Sequence, residues 1–145
     1  MNLNTKELSF FLRYLYSSKE SILTLINQYL YQTIIVKNQR LLKTLNHLLE
    51  QEIIHLRILG HILDKLGEYP IFATLDCEKE IYFNTYAIYY DKDEKTIIEI
   101  DEELINKIIN NLKLVIKTIK DKTINNYLIS ILKDEYKQLE ELKNI

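Results

Sequence analysis

The stretch NQRLLKTLNHLLEQEIIHLRILGHILDKLGEYPIF, residues 38–72, decides how this chain is read. Leu41, Leu45, Leu48, Glu52, His55, Leu59 and Ile62 recur at helical spacing and share one broad face. Three residues turn a helix by roughly 300°, so Glu52 and His55 leave that face side by side. The face is otherwise apolar. A carboxylate buried there is costly unless it is paired or ligates a metal, and a Glu with a His offers the oxygen and nitrogen donors that suit iron, manganese or zinc. Gly67 fits a helix C-terminus, with Pro70 just beyond it. The spacing therefore predicts a helix over 38–66. Gly60 inside it reads as the site of a close helix approach.

Residues 5–36 contain neither Gly nor Pro. Leu12, Leu15, Ile22, Leu25, Ile26, Tyr29 and Thr33 recur at helical spacing there, which predicts one long first helix, kinked if anywhere near Ser17 and Ser18. Residues 68–100 differ. They hold the one Pro and the one Cys of the chain and a run of tyrosines, Tyr69, Tyr82, Tyr86, Tyr89 and Tyr90. That length is too great for a tight turn between neighbouring helices. It reads as a crossover along a bundle, with an extended piece at Thr96–Ile100. Asp101 can cap a third helix over 102–120, with Leu104, Ile105, Ile108, Ile109, Leu112, Ile116 and Ile119 as its stripe. A short break at Lys120–Thr123 makes a fourth helix, 124–142, its antiparallel neighbour. The fold class is all-α: a single domain over 1–145, built as a four-helix bundle with one long crossover between its second and third helices.

Composition narrows the function. With one cysteine, Cys77, the chain can form no internal disulfide and carries no cysteine-rich zinc motif. A buried, inert thiol is the plain reading of it. The formal net charge is -2, and no basic block offers a footprint for nucleic acid. No apolar run reaches the roughly 20 residues of a membrane span, and the first residues do not read as a secretory signal. The expected place is the cytoplasm, with neither nucleic acid nor membrane as partner. No phosphate loop, Ser-His-Asp arrangement or zinc-protease motif is present.

In the fourth helix, Glu135 and Gln138 repeat the spacing of Glu52 and His55 within LISILKDEYKQLEEL. Bundles with two-metal carboxylate centres place a Glu on each of two helices and a Glu-x-x-His on each of the other two. At these residues the chain resembles the ferritin-like superfamily, near its rubrerythrin, bacterioferritin and manganese-catalase-like bacterial groups. The segment 38–72 is similar to their second helix. ILTLINQYLYQTIIV looks like their first, and ILKDEYKQLEEL like the Asp-Glu-x-x-His of their fourth.

The resemblance implies a metal set at Glu52, His55, Glu135 and Gln138. It also implies departures. The family's first-helix and third-helix glutamates fall on Ile22 and Ile105, and its second histidine on Gln138. Glu20 and Glu103 are each two residues, about 200° of rotation, from those places and cannot stand in. A degenerate di-metal site is expected, with one Fe, Mn or Zn ion or none. That suits a redox-stress or metal-handling accessory. The alternative is a metal-free structural bundle that pairs as a homodimer through a helix face. An active two-metal oxidoreductase would need a different alignment of the first and third helices. His47 and His61 read as exposed or boundary residues. Tyr29, Tyr31 and Tyr127 read as core aromatics whose hydroxyls reach a partner, or as donors beside the site.

Overall fold

The computed structural model describes residues 4–145. Its helices are α1 (Thr5–Ser17), α2 (Ile22–Ile35), α3 (Gln39–Lys65), α4 (Glu94–Thr118) and α5 (Lys122–Lys143). Between α3 and α4 lie β1 (Ala73–Asp76), β2 (Lys79–Tyr82) and a 3-10 turn at Thr85–Ala87. The architecture is a ferritin-like all-α bundle. α2 packs mainly on α3, and α4 on α5. α2 also meets α4, and α3 meets α5. Their apolar stripes merge into one core that includes Leu12, Leu25, Leu48, Leu59, Ile105, Leu112, Leu128 and Ile131. Removing each such side chain from water contributes about 1.5–3 kcal/mol.

The first helix is not continuous. No Gly or Pro breaks it; serine and threonine do. Ser18 ends α1, and Ser21 caps α2 by accepting from the Thr24 amide at 3.2 Å. The Ser18 carbonyl accepts from the hydroxyls of Ser21 and Thr24, and the Glu20 amide donates to the Ser18 hydroxyl at 3.1 Å. These short side chains offer the backbone bonds that compete with the helix. Because they are buried, the break is locked and the two pieces together serve as the bundle's first helix.

Helix α3 matches its expected span. Its end is a Schellman motif: Gly67 has φ +83°, its amide donates to the Asp64 carbonyl, and Glu68 donates to that of Leu63, both at 3.0 Å. A Cβ on Gly60 would sit 3.4 Å from the Tyr16 hydroxyl, an ordinary contact, so α1 passes beside this turn of α3 but the approach does not depend on a glycine.

The crossover does run along the bundle. Near the end of α3 the Tyr16 hydroxyl donates to the Pro70 carbonyl at 2.9 Å and Ser17 to that of Ala73 at 3.2 Å. Further along, the Gln28 amide group exchanges two bonds with the Tyr89 backbone at 2.8 and 2.9 Å. At the far end, beside the start of α3, the Asn38 amide donates to Glu94 at 3.2 Å.

Three expectations inside this stretch are corrected. Cys77 is exposed, not buried. It sits with Glu78 at the tip of the β1–β2 hairpin, both with positive φ (48° and 69°), as a two-residue hairpin turn requires. Thr96–Ile100 is helical, not extended. The cap of α4 is Asp93, which accepts from the Thr96 amide at 3.0 Å, and not Asp101, which lies two turns inside the helix. The buried stripe Ile97, Asp101, Ile105 and Ile108 outweighs the β-branched character of Thr96, Ile97 and Ile98. No helix among the described residues is long and apolar enough to cross a membrane.

The Ser21 cap is directly testable. Ser21→Ala is expected to cost about 1–2 kcal/mol in urea-induced unfolding, since it removes a buried cap and orphans the Thr24 amide. A cost below about 0.3 kcal/mol, the level of an indifferent surface change, would contradict this account of the break.

Candidate metal centre

Helices α3 and α5 bring Glu52, His55, Glu135 and Gln138 together in the middle of the bundle, each at most 1 % exposed. Their places follow from the stripes: Leu48–Glu52–His55–Leu59 on α3, and Ile131–Glu135–Gln138–Leu142 on α5. His55 is the hub. Its Nδ1 lies 3.2 Å from Oε1 of Glu52 and 3.2 Å from Oε1 of Glu135. Its Nε2 lies 2.9 Å from Oδ2 of Asp134. Three carboxyl groups thus face one imidazole, so both ring nitrogens act as donors. Gln138 donates from Nε2 to Gln51 at 2.9 Å and also to Glu52. Its Oε1 accepts from the Tyr29 hydroxyl at 2.9 Å.

The protonation pattern follows from this arrangement. Burial works against a charged ring, yet the hydrogen bonds it donates to Glu135 and Glu52, helped by their charges, outweigh it and raise His55 from 6.5 to about 11. Burial, and then the negative charge of Glu52, push the Glu135 carboxyl well above its usual range, with His55 pulling the other way. The two carboxyl groups therefore favour the charged imidazole ring, and burial beside Glu52 favours the protonated form of Glu135. Burial also raises the Tyr29 hydroxyl, with the charges of Asp101, Glu52 and Glu135 adding to it. Tyr29 is therefore a donor here, not a phenolate.

A single metal ion fits the donors. Glu52, His55 and Glu135 each offer a ligand atom, all within 4.8 Å of one another. Oε2 of Glu52 and Oε2 of Glu135 are buried without a hydrogen-bond partner, as free ligand oxygens would be. Asp134 on Nε2 fixes the ring so that Nδ1 faces the two carboxylates, the orientation that an outer carboxylate gives a ligating histidine. A second ion fits poorly. Ile22 and Ile105 are fully packed in the core and supply no donor, and Gln138 is a neutral amide. Glu20 and Glu103 lie outside the core, where Lys107 pairs with them at 3.8 and 3.2 Å.

Of the other candidates, Tyr29 reaches the centre. Tyr31 packs edge-on against Tyr90 and donates to its carbonyl, outside the core. Tyr127 is exposed, as are His47 and His61. Asp134 and Gln51 were missed from sequence. Asp134 stands beside Glu135, and its helical offset of one residue argues against a shared face until the imidazole is seen to reach across. Asp101, mistaken for a cap, is buried and bonded to Gln32. The signal for it was its place in the Ile97–Ile105 stripe.

No protein-family model and no curated protein sequence matches the chain. Solved structures do. A manganese catalase, KatB from Anabaena, superposes with a TM-score of 0.87 over 98 % of this chain and 71 % of its own, at 14 % identity. The dodecameric thioferritin of Bacteroides fragilis, a bacterioferritin-related protein, superposes with a TM-score of 0.80 over 99 % of this chain and 86 % of its own, at 16 % identity. At such identities the likeness is one of fold, and the fold of this chain is that of the ferritin-like proteins.

Proposed function

We propose that this chain is a ferritin-like protein with a reduced metal centre, which holds one divalent transition-metal ion, Fe, Mn or Zn, through Glu52, His55 and Glu135. Its role would be accessory, in metal handling or redox stress. The observation that carries this is the buried three-donor set with two unpartnered carboxylate oxygens. A two-metal oxidoreductase is disfavoured because the family resemblance puts the remaining ligand places on Ile22 and Ile105, which carry no donor, and on Gln138, a neutral amide. Bound here, the ion would supply Lewis-acid chemistry and, for iron or manganese, one-electron chemistry.

The residues' own part is to give up protons. His55 must release Nδ1–H, and Glu135 its carboxyl proton, before they can ligate, while Asp134 keeps hold of Nε2–H. Ion and proton therefore compete for one place. A metal-free bundle is the second reading. It is favoured by the completeness of the His55 contacts, which leave the imidazolium acting as the cation of the site. The exposed Leu30 and Ile34 of α2 and Ile53 and Ile54 of α3 suit self-association through a helix face, and one of the structural neighbours is described as dodecameric. A single exposed cysteine suits a reducing compartment such as the cytoplasm.

Elemental analysis of freshly purified protein and of protein loaded anaerobically is expected to give one Fe, Mn or Zn per chain, lost in Glu52→Ala or His55→Ala. No metal in either preparation would leave the metal-free bundle. Two equivalents would restore the two-metal enzyme. Loading in weak buffer near pH 7 is also expected to release protons, and affinity to rise with pH. Uptake without proton release would contradict the protonation pattern assigned to His55 and Glu135.

A further inference from the structure

We propose that Asp101 holds a proton in the folded chain and closes a two-bond ring with the Gln32 carboxamide, tying α2 to α4 independently of any metal. Gln32 donates from Nε2 to Asp101 Oδ1 at 2.7 Å. Both side chains are fully buried. The two remaining oxygens, Oδ2 of Asp101 and Oε1 of Gln32, are buried and have no hydrogen-bond partner. An ionised carboxylate can only accept, so ionised Asp101 would leave two orphaned acceptors in an apolar core. A proton on Oδ2 turns that atom into a donor for Oε1 and satisfies both atoms at once.

A cation is the other occupant that two oxygens could attract. One carboxylate and one amide are too few donors for it, and no metal-holding group found among the described residues includes Asp101. The surroundings favour a neutral acid. Gln32 and Tyr29 face it from α2, and Glu102 lies beside it on α4. Among the described residues no lysine, arginine or histidine forms an ion pair with it. Burial holds the carboxyl well above its usual range, the Gln32 bond opposes this less strongly, and Glu102 adds to the rise.

The place of the pair gives it a purpose. α2 and α4 carry Ile22 and Ile105, so the candidate metal centre supplies no polar link between them. Gln32 and Asp101 supply one.

The sign of the pH effect follows. A folded carboxyl above its unfolded value of 3.8 stabilises the fold fully below pH 3.8, and that contribution drains away as pH climbs toward the folded value. Asp101→Asn keeps both hydrogen bonds and needs no proton. The ratio of unfolding constants, wild type over Asp101→Asn, is therefore expected to grow about tenfold per pH unit between about pH 5 and 7. A ratio independent of pH would overturn the proposal. The assigned side-chain carboxyl carbon of Asp101, followed by NMR in the wild-type chain, needs no variant. At pH 7 it is expected at the protonated shift, and an ionised shift there would overturn the proposal equally.

Discussion

Two glutamates, Glu52 and Glu135, lie fully buried at the centre of an apolar bundle, with a single imidazole between them. A bare carboxylate in such a place would cost far more than one mutation's worth of stability. The remaining geometry answers to that constraint. His55 carries the compensating charge, Asp134 fixes the ring from outside, and Gln138 donates to Glu52 while being held by Tyr29 and Gln51. On the proposed function, the same constraint would make a metal ion and protons alternatives at this centre. An ion there would take the place of the proton on Nδ1 between the two carboxyl groups.

The bundle is thereby divided into linked pairs. α3 and α5 are joined through the His55 cluster, and α2 and α4 through Gln32 and Asp101. The Tyr29–Gln138 bond crosses from one pair to the other. The crossover straps the outside, bonded to α1 through Tyr16 and Ser17 and to α2 through Gln28 and Tyr31. Ile22 on α2 and Ile105 on α4 are packed in the core, where they fill volume and contribute hydrophobic energy, and the polar link between those helices is made by Gln32 and Asp101.

Much of this was legible in the chain. The stripe in α3 and the glycine at its end fixed that helix almost to the residue, because apolar period and capping agreed. The length of the 68–100 stretch revealed the crossover. Other features depend on competition that periodicity does not register. The break between α1 and α2 is made by Ser18, Ser21 and Thr24 bonding the backbone, with none of the breakers that punctuate a sequence. Asp101 looked like a cap because Asp is common at caps, but Asp93 does that work and Asp101 is buried. The hairpin at 73–82 sets Cys77 at an exposed turn by a backbone conformation that the residue type gives no hint of. At the site, Glu52, His55 and Glu135 were readable from spacing. The contribution of Asp134 was not, since it depends on how far the imidazole reaches between two helices.

Everything in the centre turns on the charge of His55 between its buried carboxyl groups. The most direct measurement is the ¹⁵N spectrum of the His55 ring in metal-free protein, followed from pH 6 upward toward its value of about 11. Both ring nitrogens are expected to remain protonated well past pH 8, because the Glu135 and Glu52 bonds outweigh the cost of burial. A ring that becomes neutral near the ordinary value of 6.5 would contradict this.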